Sequence, residues 1–250
     1  PCRSGESESS DEGGHNKELV DEYKKYDLSA RTVIHAHHRP GNAINGIDCN
    51  HYEDFYSTKK ILEGPNIYMP TEFLHAQDDG GAAAGLADIW ELHWNSKLGA
   101  GGFIWDFADE GIVRTDFNNV IDVNRVNAPD GILGPHREKE GSFYAIREIY
   151  APVHITMKKL PADFNGTIPV ENRFHFTDLK ACRFEGKLVT YQQPYADESG
   201  MDSVLNLKVN SPVVAPTQQG ALQLNLPVDW KQYDALLLTA TDPHGAEIYT

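Results

Sequence analysis

Apolar and polar positions along this chain follow two different periods. Near the start, "HNKELVDEYKKYD" (15–27) places Leu19, Val20, Tyr23 and Tyr26 at helical spacing. "RTVIHAH" (31–37) and "GIDCNHY" (46–52) are short β-rich runs, and the second leads into a helical "EDFYSTKKILEG" that stops at Gly64. "NIYMPTEF" (66–73) predicts a third strand, and "GAAAGLADIWELHWNSKLG" a long helix ending at Gly99. "GGFIWDFAD" (101–109) opens as an uncharged run and predicts a fourth, buried parallel strand. A loop-rich stretch to about residue 137 precedes a last helix in "EGSFYAIREIY" (140–150). Strand–helix alternation of this kind implies a parallel sheet, closed or open.

After "APVHI" (151–155) the pattern changes to short alternating segments: "VHITMKKL", "TIPVENRFHF", "ACRFEGKLVTYQQ", "SVLNLKVN", "ALQLNL" and "ALLLTATD". Turn signals separate them at Asn165-Gly166, Glu185-Gly186 and Ser199-Gly200. This predicts an antiparallel β-sandwich. The expected domains are therefore 1–152 and 153–250, the second truncated at its end. "PCRSGESESSDEGG" and "HGAEIYT" both read as interior sequence, so the chain is expected to be a piece of a longer polypeptide.

Composition narrows the partners. A hydrophobic content of 40% supports a sizeable core. The net charge of −15 argues against nucleic acid or an anionic membrane, since both need a basic footprint. No run of about 18 apolar residues is present, so no transmembrane helix is expected. Cys2, Cys49 and Cys182 are odd in number and lack metal-type spacing, which argues against a disulfide framework.

The candidate chemistry lies at strand ends, where an α/β barrel carries its site. Glu6 and Glu8 stand in the opening stretch, Tyr52 ends "NHY", Glu72 and His75 fall in "TEFLH", and Trp105 and Asp106 in "IWDF". Two carboxylates facing across a pocket beside an aromatic wall is what glycoside cleavage needs. Each residue has a plainer reading. A strand-end Glu is commonly solvated, Trp105 could be core, Tyr52 could bond backbone, and "GESESSDEGG" could be a solvated acidic loop. His35, His37 and His38 lack a Cys or acid at ligand spacing and read as surface histidines. The residues alone give an α/β chain with a sugar-type site.

A longer stretch says more. "PTEFLHAQDDGGAAAGLADIWELHWNSKLGAGGFIWDFADEG" resembles the nucleophile region of family 2 glycoside hydrolases, the β-galactosidase group. That region runs Glu-aromatic-x-His-Ala, a Gly-rich helix start, an aromatic-rich helix, then Gly-Gly-Phe-(Ile/Val)-Trp-Asp. "NAPDGILGPHREKEGSFYAIREIYAPVHI" resembles the end of the same barrel, and "VENRFHFTDL" the opening of the sandwich that follows it. The resemblance implies the C-terminal half of a (β/α)8 TIM barrel from the end of strand four, then an immunoglobulin-like β-sandwich. It also implies that the upstream barrel half and β domains belong to the same protein.

Carried over by position, the resemblance makes Glu72 the nucleophile, Glu8 the acid/base with Glu6 as the alternative, and Tyr52 the group that hydrogen-bonds the nucleophile. His75, Trp105, Asp130 and His51 become sugar-binding residues. Ser7 stands where the family has the Asn that binds the sugar 2-hydroxyl, and the Trp that precedes it there is missing. Asp130-Gly131-Ile132 stands where β-galactosidases have Asn-Gly-Leu, which leaves the sugar open. The activity implied is that of a retaining exo-β-glycosidase on terminal β-linked sugars of oligo- or polysaccharides. The alternatives are specificity for another sugar such as β-glucuronide, a glycan-binding relative without catalysis, or a purely structural interaction module. No redox or organic cofactor is implied, no metal ligand is assigned, and a divalent or sodium ion held by upstream residues is compatible with the family. A carbohydrate is the expected partner and a homo-oligomer is compatible. Localisation stays open between periplasmic or secreted and cytoplasmic.

Overall fold

The structure, a computed structural model, describes residues 17–34, 45–73, 85–122, 129–193, 195 and 200–250. Glu6, Glu8, His35, His37, His38, His75 and Cys2 lie outside the described residues. The chain divides into two compact units, 1–149 and 150–250.

In the first unit, helix α1 (Lys17–Tyr26) forms where the apolar spacing predicts it. Only Val20 of its apolar set is buried; Leu19 and Tyr26 are exposed. Strand β1 (Ile47–Asp48) pairs in parallel with β2 (Ile67–Tyr68), Ile47 opposite Ile67. Helix α2 (Phe55–Leu62) connects them. Asp54 caps it by accepting from the Ser57 amide at 2.8 Å, and the Gly64 amide closes its end on the Ile61 carbonyl at 2.9 Å. Helix α3 (Leu86–Asn95) follows and buries Leu86, Ile89 and His93, one stripe of the helix. A third parallel segment then pairs with the β2 strand through Tyr68–Gly99 and Phe73–Ile104. Parallel neighbours cannot be joined by tight turns, so a helix in each crossover is what the topology requires.

Several expectations are corrected here. The described part of the first predicted strand, 31–34, pairs with no strand among the described residues. The 101–109 run is not fully buried: Phe103 is 59% and Phe107 66% exposed, because no described residue covers that face. The loop-rich stretch contains a hairpin, β3 (Ile112–Arg114) with β4 (Val120–Asp122). Asn118 and Asn119 both adopt positive φ, 52° and 57°, a turn geometry that asparagine tolerates. Arg114 joins the two ends, donating to Asp116 at 2.7 Å and Asp122 at 2.9 Å. Helix α4 (Gly141–Ile149) closes the unit.

The second unit is an antiparallel β-sandwich. One sheet orders β5 (Val153–His154), β6 (Thr167–Asn172) and β9 (Gln219–Gln223). The other orders β11 (Glu247–Tyr249), β10 (Ala235–Thr241), β7 (Arg183–Tyr191) and β8 (Met201–Leu207). Alternation sends Ile168 and Val170 inward from one sheet and Phe184 and Ala240 from the other, into one shared core. Buried Asn172 fixes the loop beyond β6, donating to the Thr177 and Val214 carbonyls at 2.8 Å each and accepting from the Phe174 amide at 3.0 Å. Glu185-Gly186 is not a turn but the interior of β7. A Cβ at Gly186 would meet the Val209 side chain at 3.1 Å, a tight contact within the strand. Cys49 and Cys182 are both buried.

Candidate active site

The three parallel segments of the first unit end side by side, and their ends carry the candidate residues. The Tyr52 amide donates to the Glu72 carbonyl at 3.3 Å, which fixes the end of the first segment against the second. The Phe73 amide donates to the Phe103 carbonyl at 3.0 Å and the Trp105 amide to the Phe73 carbonyl at 3.3 Å, which fixes the third. Register therefore delivers Tyr52, Glu72 and Trp105 to the same end of the sheet.

Glu72 is the centre. Its residue is 1% exposed, and the Tyr52 hydroxyl donates to Oε2 at 2.8 Å. Tyr52 reaches it from a left-handed backbone, φ 50°, a conformation that costs about 1–3 kcal/mol in a bulky residue and persists where surrounding contacts impose it. Beside it the His51 Nδ1 lies 3.8 Å from the same Oε2. His51 Nε2 is hydrogen-bonded to Thr71 Oγ1, and Thr71 lies 3.4 Å from the Cys49 carbonyl. His51 is 1% exposed. His51 thus stands beside the Glu72 carboxylate and is anchored on Thr71.

Trp105 is half-buried, and its indole Nε1 donates to Asp130 Oδ2 at 2.8 Å. The Trp105–Asp106 peptide is cis. Asp106 follows with one carboxylate oxygen buried and without a hydrogen-bond partner among the described residues. Burial pushes its pKa up to about 6, reinforced by the negative charges of Asp130, Glu110 and Asp109. Among the described residues no group of three or more His, Cys, Asp and Glu side chains is placed to hold a metal ion, and no helix is long and apolar enough to cross a membrane.

Five of the seven named site residues can thus be located: Glu72, Tyr52, Trp105 and Asp130 stand at the strand ends or against them, and His51 lies beside Glu72. Glu8, its alternative Glu6, and His75 lie outside the described residues. Thr71, which anchors His51, was missed; the only signal for it was a small hydroxyl residue directly before Glu72. His93 was also missed. It is 3% exposed, stacked on Tyr68 with ring centroids 5.2 Å apart, and burial holds its pKa down at about 4.

No family model matches the sequence, and no curated protein matches it. Among the solved structures similar to it are glycoside hydrolases. The exo-chitosanase of Amycolatopsis orientalis is 13% identical over 68% of this chain, with a TM-score of 0.26. A family 39 glycoside hydrolase from Bacteroides cellulosilyticus is 14% identical over 68% of this chain and 38% of its own, with a TM-score of 0.28. A β-D-mannosidase from Dictyoglomus thermophilum is 11% identical over 68% of this chain, with a TM-score of 0.24. The chain spans 18% of the length of the exo-chitosanase. At these values the likenesses bear on neither substrate nor mechanism.

Proposed function

We propose that this chain carries the nucleophile side of a retaining exo-β-glycosidase site of the β-galactosidase type, within the second half of a (β/α)8 barrel. The observation that carries the reading is the buried Glu72 carboxylate held by the Tyr52 hydroxyl at 2.8 Å. The motif "PTEFLHA" around it and "GGFIWD" after it supply the family resemblance.

The chemistry is double displacement on a terminal β-linked sugar. Glu72 attacks the anomeric carbon and forms a covalent glycosyl-enzyme as the leaving oxygen takes a proton. Glu8, or Glu6, supplies that proton and then takes one from the water that hydrolyses the intermediate; this role rests on the resemblance alone. The Tyr52 hydrogen bond stabilises the ionised carboxylate and aims it. Trp105 offers an apolar wall to the C–H face of the sugar. Neither step calls for a redox or organic cofactor.

The test is turnover of 4-nitrophenyl β-galactoside, β-glucuronide, β-glucoside and β-mannoside by the full-length polypeptide, with the anomeric configuration of the product followed by NMR. Retention of configuration with at least one substrate, abolished in Glu72→Gln, is expected. Inversion contradicts the mechanism. Glycan binding with no turnover of any substrate favours a non-catalytic relative.

A further inference from the structure

Asp130 takes the place of an asparagine that the family resemblance would put against the sugar. The structure gives it other work. Asp130 is 3% exposed, and its carboxylate is engaged from within the fold. Its Oδ2 accepts the Trp105 indole N–H at 2.8 Å. A charge-assisted bond to the only polar atom of an indole fixes the ring plane, since the rest of the ring is held by non-directional contacts.

The backbone around the pair is built to keep that bond in register. The Asp106 amide donates to the Asp130 carbonyl at 3.0 Å, and the Ile132 amide to the Asp106 carbonyl at 3.1 Å. The Asp109 amide donates to the Leu133 carbonyl at 2.9 Å, and the Gly131 amide to Asp109 Oδ1 at 2.9 Å. Residues 130–133 and 105–109 are thus laced together from both sides. At Gly131 any side chain would lie 2.3 Å from the Asp109 amide nitrogen, so the two segments approach as closely as backbone allows.

We infer that Asp130 is a positioning residue that sets the plane of the Trp105 ring, not a group that contacts the sugar. The inference rests on the reading of Trp105 as the sugar wall. It separates two roles that the same carboxylate could have. A positioning acceptor acts only through the Trp105 indole N–H, needs only an oxygen there, which asparagine also provides, and has no effect once that N–H is gone. A sugar ligand acts directly, and its loss would weaken binding whatever residue stands at 105.

Asp130→Asn, Asp130→Leu, Trp105→Phe and the Trp105→Phe/Asp130→Asn double variant decide between them. Two readouts are used on the full-length polypeptide: the indole N–H resonance that Trp105→Phe removes, and KM and kcat on 4-nitrophenyl β-galactoside or whichever of the four aryl glycosides is turned over. In Asp130→Asn the Trp105 indole N–H should stay protected from exchange and KM should stay within about threefold. In Asp130→Leu that protection should be lost and KM should rise about tenfold, with a smaller change in kcat. Asn at 130 should add nothing once the indole N–H is gone in the Trp105→Phe background. An unprotected indole N–H in native protein, or a tenfold loss in Asp130→Asn that persists in the Trp105→Phe background, overturns the inference. Should Asp130→Leu not fold, the Asp130→Asn and double-variant results still decide it. Should Trp105→Phe and Trp105→Ala both leave KM unchanged, the sugar-wall reading fails and with it the inferred purpose of Asp130, while indole protection still reports whether Asp130 holds the ring.

Discussion

The Tyr52 hydroxyl donates to Glu72 Oε2 at 2.8 Å across two parallel strand ends. The bond joins residues 20 positions apart, and α2 makes the connection. Tyr52→Phe removes only this hydroxyl. Turnover should fall about a hundredfold, the scale of a lost, positioned hydrogen bond at a reacting group, with KM little changed. Far-UV circular dichroism and the urea midpoint should match the native protein; an equal loss of fold and activity would make Tyr52 a structural residue.

Buried His93 and half-buried Asp106 set an opposed pH dependence of stability. His93 has a folded pKa of about 4 against an ordinary 6.5, so its contribution is present above the ordinary value and lost as pH falls toward about 4. Asp106 has a folded pKa of about 6 against 3.8, so its contribution is present below the ordinary value and lost as pH rises through about 6. The two offset each other between about pH 4 and about pH 6. Asp106→Asn should therefore steepen the loss of stability on acidification, and His93→Phe should flatten it. Urea midpoints across that window, followed by tryptophan fluorescence, read both; a shift of the same sign in the two variants would contradict the assignment.

Gly131→Ala should destabilise the first unit by about 2 kcal/mol or more, because the added carbon meets the Ala108 and Asp109 backbone rather than a side chain that can move. Gly46→Ala is the comparison: nothing lies within 4 Å, and only its φ of 78° opposes the change. The larger loss in thermal midpoint is expected at Gly131, and the reverse order would show that the close approach relaxes easily.

The parts of this molecule legible in the sequence were those with local signals. Helix α2 shows its Asp54 cap and its Gly64 stop. The inward positions of β6 follow strict alternation. Glu72 and Tyr52 were found from motif and strand-end position, yet their hydrogen bond depends on parallel register, which no single segment encodes. Asp130 shows the limit most clearly. Its bond to Trp105 depends on a segment 25 residues away, which no local signal encodes. Gly186 misled because glycine signals both a turn and a close packing contact, and only the neighbouring Val209 distinguishes them.

The central claim is that Glu72 is the nucleophile, and covalent trapping tests it most directly. The full-length polypeptide is treated with a 2-deoxy-2-fluoro glycoside of an accepted sugar, which slows hydrolysis of the glycosyl-enzyme, and is then digested for peptide mass spectrometry. The label should sit on the peptide containing Glu72 and should be absent in Glu72→Gln. A stable label on any other carboxylate would contradict the account.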